Sequence, residues 1–233
     1  MNTKNALYIV STPIGNPDDI TLRAIKTLKT VDALICEEFR NGSKLLKKNG
    51  IEEKEIIALN EHNESGQIEN ILIRLAQGQN LALVSDCGTP LFSDPGHLLI
   101  EAVIDAGFTI IPIPGVSALT TAISVTPLHM KNFVFGGFLP RDPEERLRQL
   151  KNYKQMRMPI ILMDTPYRLT NLLSDISKVF GKNQRITLTL NLTLPNEWIL
   201  TGACDELIQK IGPMKAEFML IIHQVQQAAR NEK

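Results

Sequence analysis

The sequence is short of cysteine, of aromatic residues and of long apolar runs, and it carries no net charge. Its three cysteines, Cys36, Cys87 and Cys204, are odd in number and far apart. That excludes a disulfide framework and a cysteine-rich structural zinc site, and it fits a reducing compartment. No metal site is expected. No apolar run approaches the ~20 residues needed to cross a bilayer. The N-terminal stretch MNTKNALYIVSTPIG has too few apolar residues in a row for a secretory leader. A cytoplasmic protein without membrane contact is therefore expected. Low-complexity tracts and fixed-period repeats are missing too. So are GxGxxG after the first strand, GxxxxGK[ST], GxSxG and HExxH. Their absence removes the ordinary dinucleotide, P-loop, simple serine-hydrolase and zinc-protease readings.

What remains is a chain of 233 residues with a 43% hydrophobic fraction, enough for two medium domains or one large one. Leu7–Val10, Ala33–Cys36, Ile56–Leu59, Leu81–Val84 and Phe108–Ile113 read as short buried strands. Helical spacing recurs between them, at Ile20–Leu28, Ser43–Lys48, Gln67–Ala76 and from His97 to Asp105. Strands alternating with helices predict a largely parallel sheet covered on both faces. Asp18 and Asp19 stand where acidic residues favour a helix N-terminus. Pro112, Pro114 and Gly115 interrupt the pattern, and Ser117 suits the cap of a helix over Ala118–Ser124. The expected domains are therefore 1–114, with a parallel sheet, and 115–233, with more strands per helix and a mixed sheet. Residues 1–114 hold 10 basic against 15 acidic residues, and 115–233 the reverse bias. That asymmetry fits either an anion meeting the second half or ordinary surface scatter.

The chain is organised around LVSDCGTPLFSDPG, Leu83–Gly96. A strand ends in Ser85-Asp86, turns through Cys87-Gly88-Thr89-Pro90, and reaches a helix after Asp94-Pro95-Gly96. Turn residues alone explain part of this. A glycine-rich turn at a strand's carboxyl end also lets a ligand lie on backbone N–H groups, and Asp86 offers a carboxylate to an amine or a ribose hydroxyl. Two further loops at strand ends, Thr12–Asn16 and Glu37–Arg40, are equally rich in special residues. The N-terminus of the helix after Ser117 suits an anion as well as a hinge. In the second half, Arg141–Arg157 holds Arg141, Arg146, Arg148, Lys151, Lys154 and Arg157. Its acids come early and its bases late, as in a solvated helix, and its bases would equally meet phosphate.

Three motifs together resemble the tetrapyrrole methylase superfamily: Pro13-Ile14-Gly15-Asn16, Ser85-Asp86-x-Gly88-Thr89-Pro90-x-x-Ser93-Asp94-Pro95-Gly96, and Pro112-x-Pro114-Gly115-x-Ser117-Ala118. Within it the chain is most similar to the ribosomal RNA small-subunit methyltransferase I family, whose members methylate a cytidine 2′-hydroxyl. Asp18–Ala24, Lys44–Leu46, Glu61–Glu64 and Gly137–Arg141 add to the likeness, which runs from Leu7 to about Leu207. The resemblance implies two α/β domains with a cofactor cleft between them, the class III methyltransferase arrangement. It also implies S-adenosylmethionine as cofactor, ribosomal RNA or the small subunit as partner, and a homodimer. Carried over by position, Pro13, Gly15, Ser85, Asp86, Cys87, Gly88, Thr89, Ser117 and Ala118 would hold the cofactor, and Met163 would close its pocket.

Several positions depart from the family. Glu37-Glu38-Phe39-Arg40-Asn41-Gly42 stands for Glu-Asp-Thr-Arg-His-Thr, and Asp164-Thr165-Pro166-Tyr167-Arg168 for Glu-Ser-Pro-His-Arg. Leu190–Leu194 replaces Arg-Glu-Leu-Thr-Lys, and the family's closing helical segment has no counterpart before Lys233. A ribose hydroxyl is a poor nucleophile, so a general base on the carboxyl-end loops is expected among Glu37, Glu61 and His62. Each also suits a plain role: Glu37 as an ion-pair partner of Arg40, Glu61 and His62 as solvated loop residues. Arg40 and Arg168 suit bidentate clamps on phosphate or carboxylate. A small-substrate methyltransferase and a catalytically silent cofactor-binding paralogue are the alternatives.

Overall fold

The computed structural model describes residues 5–224. They form two compact α/β units that divide between Ser117 and Ala118. In the first, β1 (Ala6–Val10), β2 (Ala33–Cys36), β3 (Glu55–Ala58), β4 (Leu81–Val84) and β5 (Thr109–Ile113) form one sheet of order β3-β2-β4-β1-β5. Every pairing in it is parallel. Helices α1 (Leu22–Thr30), α2 (Phe39–Lys48), α3 (Glu64–Ala76) and α4 (His97–Asp105) cover it.

Alternate residues of each strand serve different cores. Leu7, Ala33, Ile35, Leu81 and Leu83 pack with Ile71 and Leu75 of α3 and Leu99 and Val103 of α4. Val10, Leu34, Cys36, Ala82 and Val84 pack with Ala24 and Leu28 of α1 and Leu46 of α2. Burial on both faces is why these strands read as unbroken apolar runs rather than alternating ones. Each fully buried leucine adds about 1.5–3 kcal/mol of transfer free energy. Pro112, which lacks a ladder donor, is tolerated because β5 is an edge strand.

Helix starts differ from the sequence expectation in one instructive place. Asp18 and Asp19 do not open α1. They lie in a 3-10 turn, Pro17–Asp19, whose cap Asn16 accepts from Asp18 N at 3.1 Å. Ile20 is extended beyond it, and Thr21 caps α1, its hydroxyl accepting from Ala24 N at 3.1 Å. The α4 start has no local side-chain cap. Its orphan N–H groups at Leu98 and Leu99 donate to Glu64 Oε1 of α3, at 3.0 and 3.2 Å.

The second unit's sheet is mixed. Its strands are β6 (Val134–Gly137), β7 (Ile160–Asp164), β8 (Arg185–Leu190), β9 (Trp198–Ala203) and β10 (Phe218–Ile222), in the order β6-β7-β10-β8-β9. Only β6 and β7 run parallel. Its helices are α5 (Ala118–Ser124), α6 (Pro143–Met156), α7 (Leu169–Phe180) and α8 (Cys204–Ile211). Before α7, Pro166–Arg168 form a separate 3-10 turn.

One sheet face packs Ile160, Leu162, Ile186, Leu188, Leu220 and Ile222 against Leu150, Leu172, Leu173, Ile176, Leu207 and Ile211 from the helices. The other buries Thr187 and Thr189 among apolar residues. The Thr187 hydroxyl meets Thr201 Oγ1 at 2.9 Å, Thr126 Oγ1 at 2.8 Å and His223 Nε2 at 2.8 Å, so its polarity is satisfied inside. Burial, helped by the charge of Arg185, pushes His223 down to about 4.

Two arginines expected to contact ligand are committed internally. Arg146 is buried; its Nε donates to Asp175 Oδ2 at 2.8 Å and its Nη1 to the Arg141 carbonyl at 3.0 Å. Arg168 pairs with buried Asp164 at 3.2 Å and donates to the Leu139 and Pro140 carbonyls. Both side chains fix the loop that follows β6, because a buried guanidinium must meet partners on the protein.

Candidate functional site

The strand order sets the candidate site in the first unit. With β4 between β1 and β2, the loops after these strands lie side by side at the sheet's carboxyl end, where open α/β sheets bind ligands. Hydrogen bonds tie the loops together. Thr12 N donates to the Gly88 carbonyl at 2.8 Å, and Thr12 Oγ1 to the Ser85 carbonyl at 3.0 Å. Thr89 Oγ1 donates to the Val116 carbonyl at 3.1 Å. Its one proton is thereby used, so Ser11 Oγ is the donor in the 3.1 Å contact between the two hydroxyls.

Two glycines are required by this closeness. Gly88 has φ +85°, and a Cβ there would come within 3.2 Å of Ile14 Cγ2. A Cβ on Gly115 would come within 2.9 Å of Ser11 Cβ. The backbone that the sequence suggested a ligand could approach is thus also backbone that the neighbouring loops approach.

A cavity of about 230 Å³ opens beside these loops. Pro13, Gly15, Ser85, Asp86 and Cys87 line it, together with Asn41 and Lys44 of α2. Asn41 Nδ2 donates to Asp86 Oδ2 at 2.6 Å and orients the exposed carboxylate. Gly88 and Thr89 lie further along the same loop, toward β1 and β5. Ser117 ends the first unit, while Ala118 opens α5 in the second. Met163 lies on β7, in register with Met219 of β10.

Glu37 is exposed at the end of β2. Burial against the loop, followed by the negative charges of Asp86, Asp94, Glu38 and Glu61, holds it above the usual carboxylate range. No ion pair joins Glu37 to Arg40 among the described residues; the charges acting on it are acidic. Arg40 is exposed on the first turn of α2. Glu61 and His62 are exposed on a turn pinned by asparagines, in which Asn60 Oδ1 accepts from His62 N at 3.0 Å and Asn63 Nδ2 donates to the Ala58 carbonyl at 3.0 Å. Cys36 is buried, and burial raises its thiol to about 11, so it stays neutral and is no nucleophile.

A glycine loop at a strand end, an oriented carboxylate and a neighbouring acidic group of raised basicity are compatible with many chemistries. Likeness to known proteins narrows them. The family described as Tetrapyrrole (Corrin/Porphyrin) Methylases matches residues 6–208. The chain belongs to the tetrapyrrole methylase family. Within it, the relatives place the chain in the ribosomal RNA small subunit methyltransferase I family. The protein of that name from Halalkalibacterium halodurans is 37% identical over 94% of this chain and 76% of its own length. Those from Escherichia coli O157:H7 and Rickettsia prowazekii are 38% and 39% identical, each over 95% of this chain and over 78% and 79% of their own lengths. The fold is shared with cobalt precorrin-4 methyltransferase, a cobalamin biosynthetic enzyme (TM-score 0.68, 18% identity, 94% of both chains). It is shared also with uroporphyrin-III-C-methyltransferase from Thermus thermophilus (TM-score 0.63, 17% identity, 94% of both chains). This tetrapyrrole methylase family member is a methyltransferase.

Nothing in the sequence signalled the roles of Ser11 and Asn41, and it pointed to Thr12 only as the start of a strand-end loop; all three bind the loops to one another. Thr12 carried a signal, standing one residue before the Pro-Ile-Gly-Asn motif. Asn41 carried none, because its contact with Asp86 spans 45 residues.

Proposed function

We propose that this chain transfers a methyl group from S-adenosylmethionine to a ribose 2′-hydroxyl of small-subunit ribosomal RNA, as a homodimer in the cytoplasm. The observation that carries the reading is the 37–39% identity to proteins of that name over nearly the whole chain. The first unit's loops fit such a donor chemically. Asp86 is exposed, oriented by Asn41, and able to accept from an ammonium or a ribose hydroxyl. The acids around it favour a cation, and the donor carries positive charge on its sulfur and its amine.

In this reading Pro13, Gly15, Ser85, Asp86, Cys87, Gly88 and Thr89 hold the donor, with Ser117, Ala118 and Met163. The donor supplies a methyl group on a positively charged sulfur. Transfer breaks the sulfur–carbon bond, forms a carbon–oxygen bond and releases the hydroxyl proton. Glu37 takes that proton. Its raised basicity makes it a better acceptor than an ordinary carboxylate. Glu61 and His62 stand nearby on the adjoining loop. Arg40 meets RNA phosphate, for which a guanidinium is well shaped.

The test is methylation of small-subunit ribosomal RNA, and in parallel of a metabolite extract, with methyl-labelled S-adenosylmethionine. Label recovered in a 2′-O-methylated nucleoside supports the reading. Label found only in small molecules would replace it with a small-substrate methyltransferase. Sedimentation at the monomer mass would remove the homodimer.

A further inference from the structure

The C-terminal ends of α6 and α7 border a groove of about 680 Å³. Lys151, Lys154, Arg157 and Lys178 line it, and its remaining side chains, Leu147, Gln155 and Val179, are uncharged. Four cations without an acid among them is a marked local excess in a chain of zero net charge. The nearest acid on these helices, Asp175, is buried, and it is shared between Lys178 Nζ at 3.0 Å and Arg146 Nε at 2.8 Å.

Part of this charge has a structural use. Lys154 Nζ donates to the Val179 carbonyl at 2.7 Å and so closes the end of α7. A cation near a helix C-terminus also complements the macrodipole. Lys151 is not explained that way, and for Arg157 the dipole accounts for the charge but not for the choice of backbone position. Lys151 lies more than a turn before the end of α6. Arg157 is the C-terminal cap of α6 at φ +52°, a left-handed conformation that usually falls to glycine or asparagine. An arginine there sacrifices some stability, and strain of this kind is retained where a side chain has work to do.

We propose that this groove is an RNA-docking surface of the second unit, in which Lys151 and Arg157 neutralise phosphates of the ribosomal RNA outside the methylated nucleotide. The proposal rests on the RNA reading given above. The groove's chemistry is that of a phosphodiester backbone: point charges spaced along an open channel, with no aromatic platform and no acid to repel the strand. Such contacts raise affinity for a long structured RNA without touching the chemical step.

The experiment compares the unaltered protein with K151Q/R157G and K151E/R157E. The first variant keeps the fold, since glycine is at ease at φ +52°. Binding to an in vitro small-subunit RNA transcript is measured across a salt series, with kcat and KM on the same RNA. Loss of two phosphate contacts should weaken binding about tenfold at ~0.1 M salt and flatten the log–log salt slope by about 1.4–1.8. KM should rise in step, while kcat and S-adenosylmethionine affinity stay unchanged. An unchanged slope in both variants, in a protein that still methylates the RNA, overturns the docking surface alone. A protein that neither binds nor methylates the RNA overturns this proposal together with the reading on which it rests.

Discussion

The two units handle charge in opposite ways. In the first, the charged groups at the sheet's carboxyl end are exposed: Glu37, Arg40, Glu61, His62 and Asp86 stand on loops whose cohesion comes from hydroxyls, backbone and one asparagine. In the second, Arg146 and Asp175 are buried and hydrogen-bonded to each other, and buried Asp164 is paired with Arg168. The same residue types are therefore left exposed in one unit and serve architecture in the other. Burial decides which: an exposed ion pairs for little gain, whereas a buried one left unpaired is severely destabilising.

Removing a charge should separate the two units cleanly. The largest effect is expected for Asp175→Ala, which strands the Arg146 guanidinium inside. A loss of about 3–5 kcal/mol is expected, read as a fall of roughly 10 °C in thermal midpoint, with little left over for a specific effect on donor binding. Next comes Glu37→Gln in the first unit. It should leave the thermal midpoint in place while kcat falls about 100-fold, the lower range for a general base. In the unaltered enzyme the ascending limb of the pH–rate profile should lie above the 4.5 of an ordinary glutamate, because Glu37 must be deprotonated to act. A profile unchanged in the variant would move the base to Glu61 or His62.

A smaller effect should follow from pH. His223 is held near 4, below its ordinary 6.5, so the unfolded chain takes up the proton first as pH falls. Its contribution is fully present above pH 6.5 and is lost progressively as pH falls toward 4. About 2 kcal/mol is expected, the full ~1.4 kcal/mol per unit being reduced because the ring is only partly buried. Denaturant titrations at several pH values measure it, and His223→Gln should flatten this component. The smallest effect is expected for Asp86→Asn: about tenfold weaker S-adenosylmethionine binding by calorimetry, roughly 1.4 kcal/mol, with stability unaltered. Unchanged affinity would show that the oriented carboxylate does not meet the donor.

The composition and periodicity of the chain were enough to specify most of its strands and helices. The reason is that the parallel sheet buries both faces and so writes continuous apolar runs into the sequence. The Ser85–Gly96 loop was legible because glycine and proline restrict the backbone locally, whatever surrounds them. Errors concentrated where a cap decides a boundary. Asp18 and Asp19 were acidic in the right place, but Pro17 and Asn16 closed a turn of their own and left Thr21 to start α1.

Tertiary structure alone decided which charges are available. Nothing in Arg141–Arg157 distinguishes Arg146 from Arg148 or Lys151 by composition. One turns inward to Asp175, 29 residues away, and the others remain outside. The link between Asn41 and Asp86, and the Glu64 carboxylate that caps α4, are of the same kind. Residue type and spacing are properties of a segment, so the sequence determined the elements and the loop chemistry. Desolvation and partnership are properties of the packed chain, so only the fold determined which carboxylates and guanidiniums are left to meet a ligand.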